Sequence, residues 1–300
     1  MARLIASQEY QYLSLLKNII NNGVRERGRN GITYTQIGAM MRFSLEDNKI
    51  PIMTTKKMAW RVCLKELLWF IRGDTNNELL QKQNVNIWNG NANRQFLDSR
   101  GLNHLRENDL GPVYGHQWRF WNAPYSREYG CFEDYRGKGI DQFQNVINDL
   151  NKSKITGETS RRMIMTAWNP EQLDEMALPP CHVLSQFHIT EGNKLSCTLY
   201  QRSADMGLGV PFNIASYSFL THILAKHCDL EPKEFIHFIG NAHIYDDHID
   251  VLEEQIENEP YEPPELLISE KKRQIEDYKF NDFKIENYNY HKPVKMKMRA

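Results

Sequence analysis

No strong net charge marks this 300-residue chain: 37 lysines and arginines stand against 38 aspartates and glutamates. A near-neutral balance supplies no global field to draw in DNA or a membrane surface, so any basic recognition has to be local. No apolar run is long enough to span a bilayer, and the N-terminus lacks a cationic stretch followed by an apolar one. The five cysteines, Cys63, Cys131, Cys181, Cys197 and Cys228, form no CxxC pair, and their odd number leaves one over in any full pairing. That usage fits a reducing cytosol better than a secreted disulfide scaffold. Repeats, low-complexity tracts and linker compositions are missing as well. Helices and strands are mixed without regular βαβ alternation, so the expectation is one soluble, cytoplasmic α+β domain over residues 1–300.

What is present is a series of periodic segments. Leu13, Leu16 and Ile20 form a helical stripe within residues 4–20, closed by Asn21-Asn22-Gly23. Residues 24–31 read as a basic turn whose glycines let Arg29 approach an anion, and 40–45 as a short strand. A largely apolar helix is expected over 61–72, and Thr75-Asn-Asn-Glu78 has the pattern of a capping box opening another. Residues 86–94 and 109–119 read as loops built around large aromatics. An amphipathic helix at 141–150 precedes a polar loop at 151–160 and a buried strand at 163–168. Further strands are expected at 182–189, 194–200, 234–239 and 266–269, with helices at 211–229 and 246–258 and a polar tail after them.

Chemistry gathers around Met176-Ala-Leu-Pro-Pro-Cys181-His182. Each proline fixes its own φ and restricts the residue before it, so the Cys181 thiol sits on a stiff backbone at the mouth of a strand. A thiol there is either a packed core group or a nucleophile held in alignment. Arg202, in the strand adjoining the one behind Cys181, is expected to lower the thiol's pKa. Arg29, Arg161, Arg162 and Arg202-Ser203 offer forks and a hydroxyl suited to phosphate. Successive strand residues face opposite ways, so Arg161 and Arg162 reach one anion only at a strand end or bulge. Asn213, after Gly207-Leu-Gly-Val-Pro211, is either a polar group at a helix start or an amide presenting a donor beside an acceptor. The amide pair complements the carbonyl and N–H edge of uracil. Glu66, in the apolar helix, is expected to have a raised pKa suited to proton transfer, with a surface pairing to Lys65 as the competing reading. His243, Tyr245 and His248 lie at no recognised metal spacing with Glu or Cys, so no metal is expected.

Several long stretches resemble the thymidylate synthase family and cover nearly the whole chain. They are Glu66-Leu-Leu-Trp-Phe-Ile-Arg-Gly, Asp109-Leu-Gly-Pro-Val-Tyr-Gly-His-Gln-Trp-Arg, Arg161-Arg-Met-Ile-Met-Thr-Ala-Trp-Asn-Pro, Ala177-Leu-Pro-Pro-Cys-His, Tyr200-Gln-Arg-Ser-Ala-Asp-Met-Gly-Leu-Gly-Val-Pro-Phe-Asn-Ile-Ala-Ser-Tyr and Ala242-His-Ile-Tyr. The resemblance implies a mixed β-sheet flanked by helices and a homodimer packed through that sheet. It further implies conversion of deoxyuridylate (dUMP) to thymidylate (dTMP) with methylenetetrahydrofolate as one-carbon and hydride donor.

In that reading Cys181 adds to carbon-6 of the uracil ring, while Arg29, Arg202 and Ser203 hold the phosphate. Arg161 and Arg162 match positions that reach into the partner subunit's site, so active sites would be shared. Asn213 reads uracil, His243 and Tyr245 the sugar, and Gln201 and Asp205 neighbouring ligand atoms. Glu66 manages protons, and Tyr114 assists removal of the carbon-5 proton through water. Ile87, Trp88, Asn91, Asp205, Leu208, Gly209, Phe212, Met298 and Ala300 match the folate-facing wall.

The sequence departs from the familiar pattern at Asn241 and Asn89, where aspartate is usual, and at Asp247, where asparagine is common. The loop before Arg161 is longer, and the chain closes on Met298-Arg299-Ala300 instead of two apolar residues. A deoxyuridylate hydroxymethylase on the same scaffold, and a silent nucleotide- or RNA-binding homologue, are the alternatives. The apolar wall with Trp88 and the intact nucleophile and arginine set favour the synthase. At this length no fused reductase is expected beside a complete synthase.

Overall fold

Residues 7–299 are described by the computed structural model, so residues 4–6 of the first expected helix lie outside the described residues. The first half runs α1 (Tyr10–Asn22), β1 (Val24–Gly28), β2 (Gly31–Ser44), α2 (Trp60–Ile71), α3 (Glu78–Gln81), α4 (Asn89–Ala92), α5 (Arg94–Ser99), α6 (Tyr114–Phe120) and α7 (Gln142–Thr156). The second runs β3 (Ile164–Thr166), β4 (His182–Thr190), β5 (Lys194–Asp205), α8 (Gly209–His227), β6 (Glu231–Tyr245), α9 (Ile249–Ile256), β7 (Glu265–Ile268) and β8 (Phe283–Glu286).

Six strands form one sheet in the order β1-β2-β6-β5-β4-β3, while β7 and β8 pair separately. The β5–β6 pair is parallel and the other pairs in the large sheet are antiparallel, which makes it a mixed sheet. Period-two alternation sends Leu195, Cys197 and Leu199 of β5, and Phe235, His237 and Ile239 of β6, into the core. There they meet α8, which is apolar nearly all round and correspondingly buried along most of its length. On the opposite face the register lines up Leu184, Tyr200, Phe238 and Met40 in one row across four strands. Met40, Tyr200 and Phe238 are exposed there, and α1, α7 and α8 all pack elsewhere.

Several local expectations fail for identifiable reasons. Residues 24–28 are a strand, so the basic segment is a hairpin that turns at Arg29-Asn30. Every residue of β1 is exposed, so no alternation betrayed it. The stretch 109–119 is a loop only to Val113; Tyr114 then opens the buried helix α6. Within 86–94, residues 89–92 form a single helical turn. No side-chain capping bond forms at the start of α3; instead Asn76 Oδ1 accepts from the Glu78 amide at 2.9 Å. The α7 helix continues to Thr156, through half of the expected polar loop, until Gly157 adopts the left-handed conformation that ends it. The polar tail contains β8.

Candidate active site

Pro179 and Pro180 do hold Cys181 at the mouth of β4, and the surrounding hydrogen bonds show how. Arg202 lies on β5 opposite this loop, its backbone N–H bonded to the Cys181 carbonyl at 2.9 Å. Its side chain donates from Nε to the Pro180 carbonyl at 2.8 Å and from Nη2 to that of Pro179 at 3.0 Å. The guanidinium also sits 5.4 Å from the centre of the Trp168 ring. From the other side, the Cys181 N–H donates to the Tyr114 hydroxyl at 2.8 Å, which places the first residue of α6 directly behind the nucleophile candidate. The loop is therefore pinned from both sides.

The sulfur's electrostatics differ from the expected direction. Burial pushes the Cys181 thiol up, and the Arg202 and Arg29 charges offset that only in part, so its pKa stands above the ordinary value. Arg202 exerts the expected pull; a dry surround outweighs it. Glu66 follows expectation: burial lifts its carboxyl to about 7, against a hydrogen bond from Trp88 Nε1 at 2.7 Å that favours the charged form. Lys65 does not pair with it, donating instead to the Gln83 carbonyl. Burial likewise raises the Tyr114 hydroxyl well above its usual range and lowers His182 to about 4, leaving the imidazole neutral.

A cavity of about 860 Å³ opens in front of Cys181. Among the residues singled out in the sequence, it brings together Arg29, Asn91, Cys181, Arg202, Ser203, Asp205, His243 and Tyr245. Asn213 lies behind it at the start of α8, with one amide N–H directed at His182 Nε2 at 2.7 Å. The second N–H and the oxygen remain available, so the donor–acceptor pair survives. Gln201 is buried beneath the cavity floor, bonded to His237 and to the Ser203 carbonyl. Trp88 bonds Glu66, and Glu66, Trp88 and Tyr114, like Ile87, Leu208, Gly209, Phe212 and the exposed Met298, are not among the cavity's lining residues. Ala300 lies outside the described residues. Arg161 and Arg162 are exposed at the entrance to β3 and do not line the cavity of their own chain.

Sequence reasoning missed Asn30 in the hairpin turn and Leu178 beside the prolines, both of which line the cavity. It also missed the support under the Asp205–Leu208 turn. There Lys56 Nζ donates to the Gly207 carbonyl at 2.6 Å, and the Tyr12 hydroxyl to the Met206 carbonyl at 2.7 Å. Burial lowers Lys56 to about 8. Glu9 braces the same region by accepting from the backbone and hydroxyl groups of Thr54 and Thr55. A lysine in a Thr-Thr-Lys-Lys run carries no mark of burial; a dry location for an acid nine residues from the start carries none either.

Among the described residues no group of His, Cys, Asp and Glu is placed to hold a metal ion. A ligand with acceptors does fit the cavity. The buried amide nitrogen of Asn91 has no hydrogen-bond partner among the described residues, a state that costs about 1–3 kcal/mol unless something fills it.

Comparison with known proteins adds three observations. A family profile described as thymidylate synthase matches residues 10–300. A thymidylate synthase of Saccharomyces cerevisiae is 50% identical over 97% of both chains. Bifunctional dihydrofolate reductase-thymidylate synthases of Zea mays and Leishmania major are 48% and 47% identical over 97% of this chain. The chain spans about half the length of those two relatives, 54% and 55%.

Proposed function

This chain belongs to the thymidylate synthase family, and from that premise we propose that it methylates deoxyuridylate to thymidylate as a homodimer with shared sites. The supporting observation is the cavity in which a doubly pinned cysteine faces Arg29, Arg202 and Ser203. Phosphate, held by these two guanidiniums and the hydroxyl, fixes one end of the nucleotide. His243 and Tyr245 lie along the same wall and suit the sugar, while Asn213 offers its free N–H and oxygen to the uracil edge.

So oriented, carbon-6 of the ring receives the Cys181 sulfur as thiolate, and electron density passes to carbon-5 and the ring oxygen. Glu66, lifted to about 7 and bonded by Trp88 Nε1, exchanges a proton at the carbonyl side. Tyr114 keeps its proton at neutral pH and bonds the Cys181 amide, so it can orient a water toward carbon-5 without ionising. When bound, methylenetetrahydrofolate supplies the one-carbon unit and the hydride. Asn91, with its unpartnered amide, and Asp205 would hold it within the cavity, and Trp88, Ile87, Leu208, Gly209, Phe212 and Met298, outside that lining, remain the proposed contacts beyond it.

The exposed row of Met40, Tyr200 and Phe238 supports pairing through the sheet. The exposure of Arg161 and Arg162, beside that face, supports their delivery to a partner's phosphate site. A cytoplasmic location belongs to the same proposal, supported by five cysteines that are all free. No helix among the described residues is long and apolar enough to cross a membrane.

The decisive measurement is incubation with 5-fluoro-deoxyuridylate and methylenetetrahydrofolate followed by intact-mass and peptide analysis. A stable ternary adduct on Cys181, missing in Cys181→Ala, is the expected result. No adduct, or one on another residue, would overturn the assignment. With the natural substrate, dihydrofolate should accompany product; tetrahydrofolate in its place would identify a hydroxymethylase.

A further inference from the structure

Two of the positions at which the sequence departs from the familiar family pattern, Asp247 and Arg299, meet in space. Arg299 Nη2 lies 2.5 Å from Asp247 Oδ2 and 3.9 Å from Asp246 Oδ1. Its guanidinium also stands 5.6 Å from the centre of the Tyr245 ring, and the residue lines the cavity that contains Cys181 and Arg202. Near the last described residue a side chain usually has no fixed partner; this one has an ion pair and an aromatic face.

The preceding residues are held as well. His248 Nε2 donates to the Lys297 carbonyl at 2.9 Å. The Met296 sulfur lies only 2.9 Å from where a Cβ would stand on Gly207, so the missing side chain there makes room for the tail. Asp247 and His248 are adjacent in the turn that leads into α9. One short segment therefore grips the tail at two points two residues apart.

We propose that Arg299 is a positioning residue, whose ion pair with Asp247 fixes the 296–299 segment and so keeps Arg299 itself in the wall of the cavity that holds Cys181. The inference rests on the proposed synthase activity only for its catalytic consequence. Physically, the hold on this segment is a charge pair. A pair of this kind is directional and salt-screened, whereas apolar contact is neither.

The test compares the full-length wild type with Asp247→Asn, Arg299→Ala, Arg299→Lys and the Asp247→Asn/Arg299→Ala double variant. Hydrogen exchange of the C-terminal peptide, read by mass spectrometry without ligand, should quicken about two- to five-fold in the neutral single variants, the range of a partly exposed pair. The double variant should be no faster than Arg299→Ala alone, because Asp247→Asn removes only a contact that Arg299→Ala has already removed. Lysine at 299 should recover part of the protection. In the same proteins KM for methylenetetrahydrofolate should rise by a similar factor with kcat little changed. Unchanged exchange, additive single effects, or a loosened tail with unaltered KM would each overturn the assignment. A wild type that forms no thymidylate, while its tail still responds to Asp247→Asn, would instead remove the activity and leave the ion pair standing.

Discussion

Glu66 shows how one side chain's surroundings set a measurable behaviour. Its pKa is raised from 4.5 to about 7, chiefly by burial. The folded chain therefore keeps a proton that the unfolded chain has lost, and folding takes up a proton between those two values. Stability contributed by this group is full below about pH 4.5, declines as pH rises, and is level again above about 7. Glu66→Gln should abolish that decline, so thermal melts at about pH 5 and about pH 8 should differ less in the variant than in the wild type. Equal slopes would show that the carboxyl is not held neutral. The same group should give the pH profile of kcat/KM an inflection near neutrality that the variant lacks. Glu66 was legible in the sequence because the helix around it is apolar on almost every side. The pKa of Cys181 was misjudged because sequence shows that an arginine is near but not how dry the thiol is. In this chain the second effect is the larger.

Elements were legible where one periodicity ruled the whole segment: α2, α8 and β4 fell close to their expected places, whereas β2, β5 and β6 run well past the expected 40–45, 194–200 and 234–239. They were obscured where charge or turn residues broke the pattern. β1 alternates arginine with glutamate and exposes both faces, so it looks like a turn. α6 begins immediately after a Gly-Pro-Val step that signals a loop, and its burial comes from α2 and α7, far away in sequence. That Gly-Pro step is structural in its own right. Gly111 has φ +71°, and a Cβ there would stand 2.1 Å from the Glu175 carbonyl oxygen. Gly111→Ala should cost more than about 1 kcal/mol, since both φ and space refuse the methyl group. The loss should appear as a lower urea midpoint with an unchanged m-value, together with poorer alignment of Tyr114 behind Cys181. An unshifted midpoint would mean that the 175–176 backbone yields without strain.

At the scale of the whole molecule, the bare row on the outer sheet face is the surface that the proposed dimer would cover. In that proposed dimer, Phe238→Asp would bury a charge at the two-fold interface at a cost of about 3 kcal/mol or more, and should turn a dimer into monomers on sedimentation. Sharing has its own signature. Cys181→Ala and the Arg161→Ala/Arg162→Ala pair should each be inactive alone. Unfolded together and refolded at equal amounts, they should recover about a quarter of wild-type activity, since half the dimers are mixed and each mixed dimer has one intact site. No recovery would place those arginines outside the partner's cavity. A second chain would have a further duty, traceable to Arg202 gripping the Pro179–Pro180 loop while lining the cavity. A dianion seated on Arg29 and Arg202 offsets the two positive charges that oppose burial at the sulfur. In an isolated chain, substrate arrival would therefore silence the group meant to attack it. In the proposed dimer, a neighbour bringing two more guanidiniums would keep the field positive after loading, so the nucleotide would arm the site only with a second copy there to balance it.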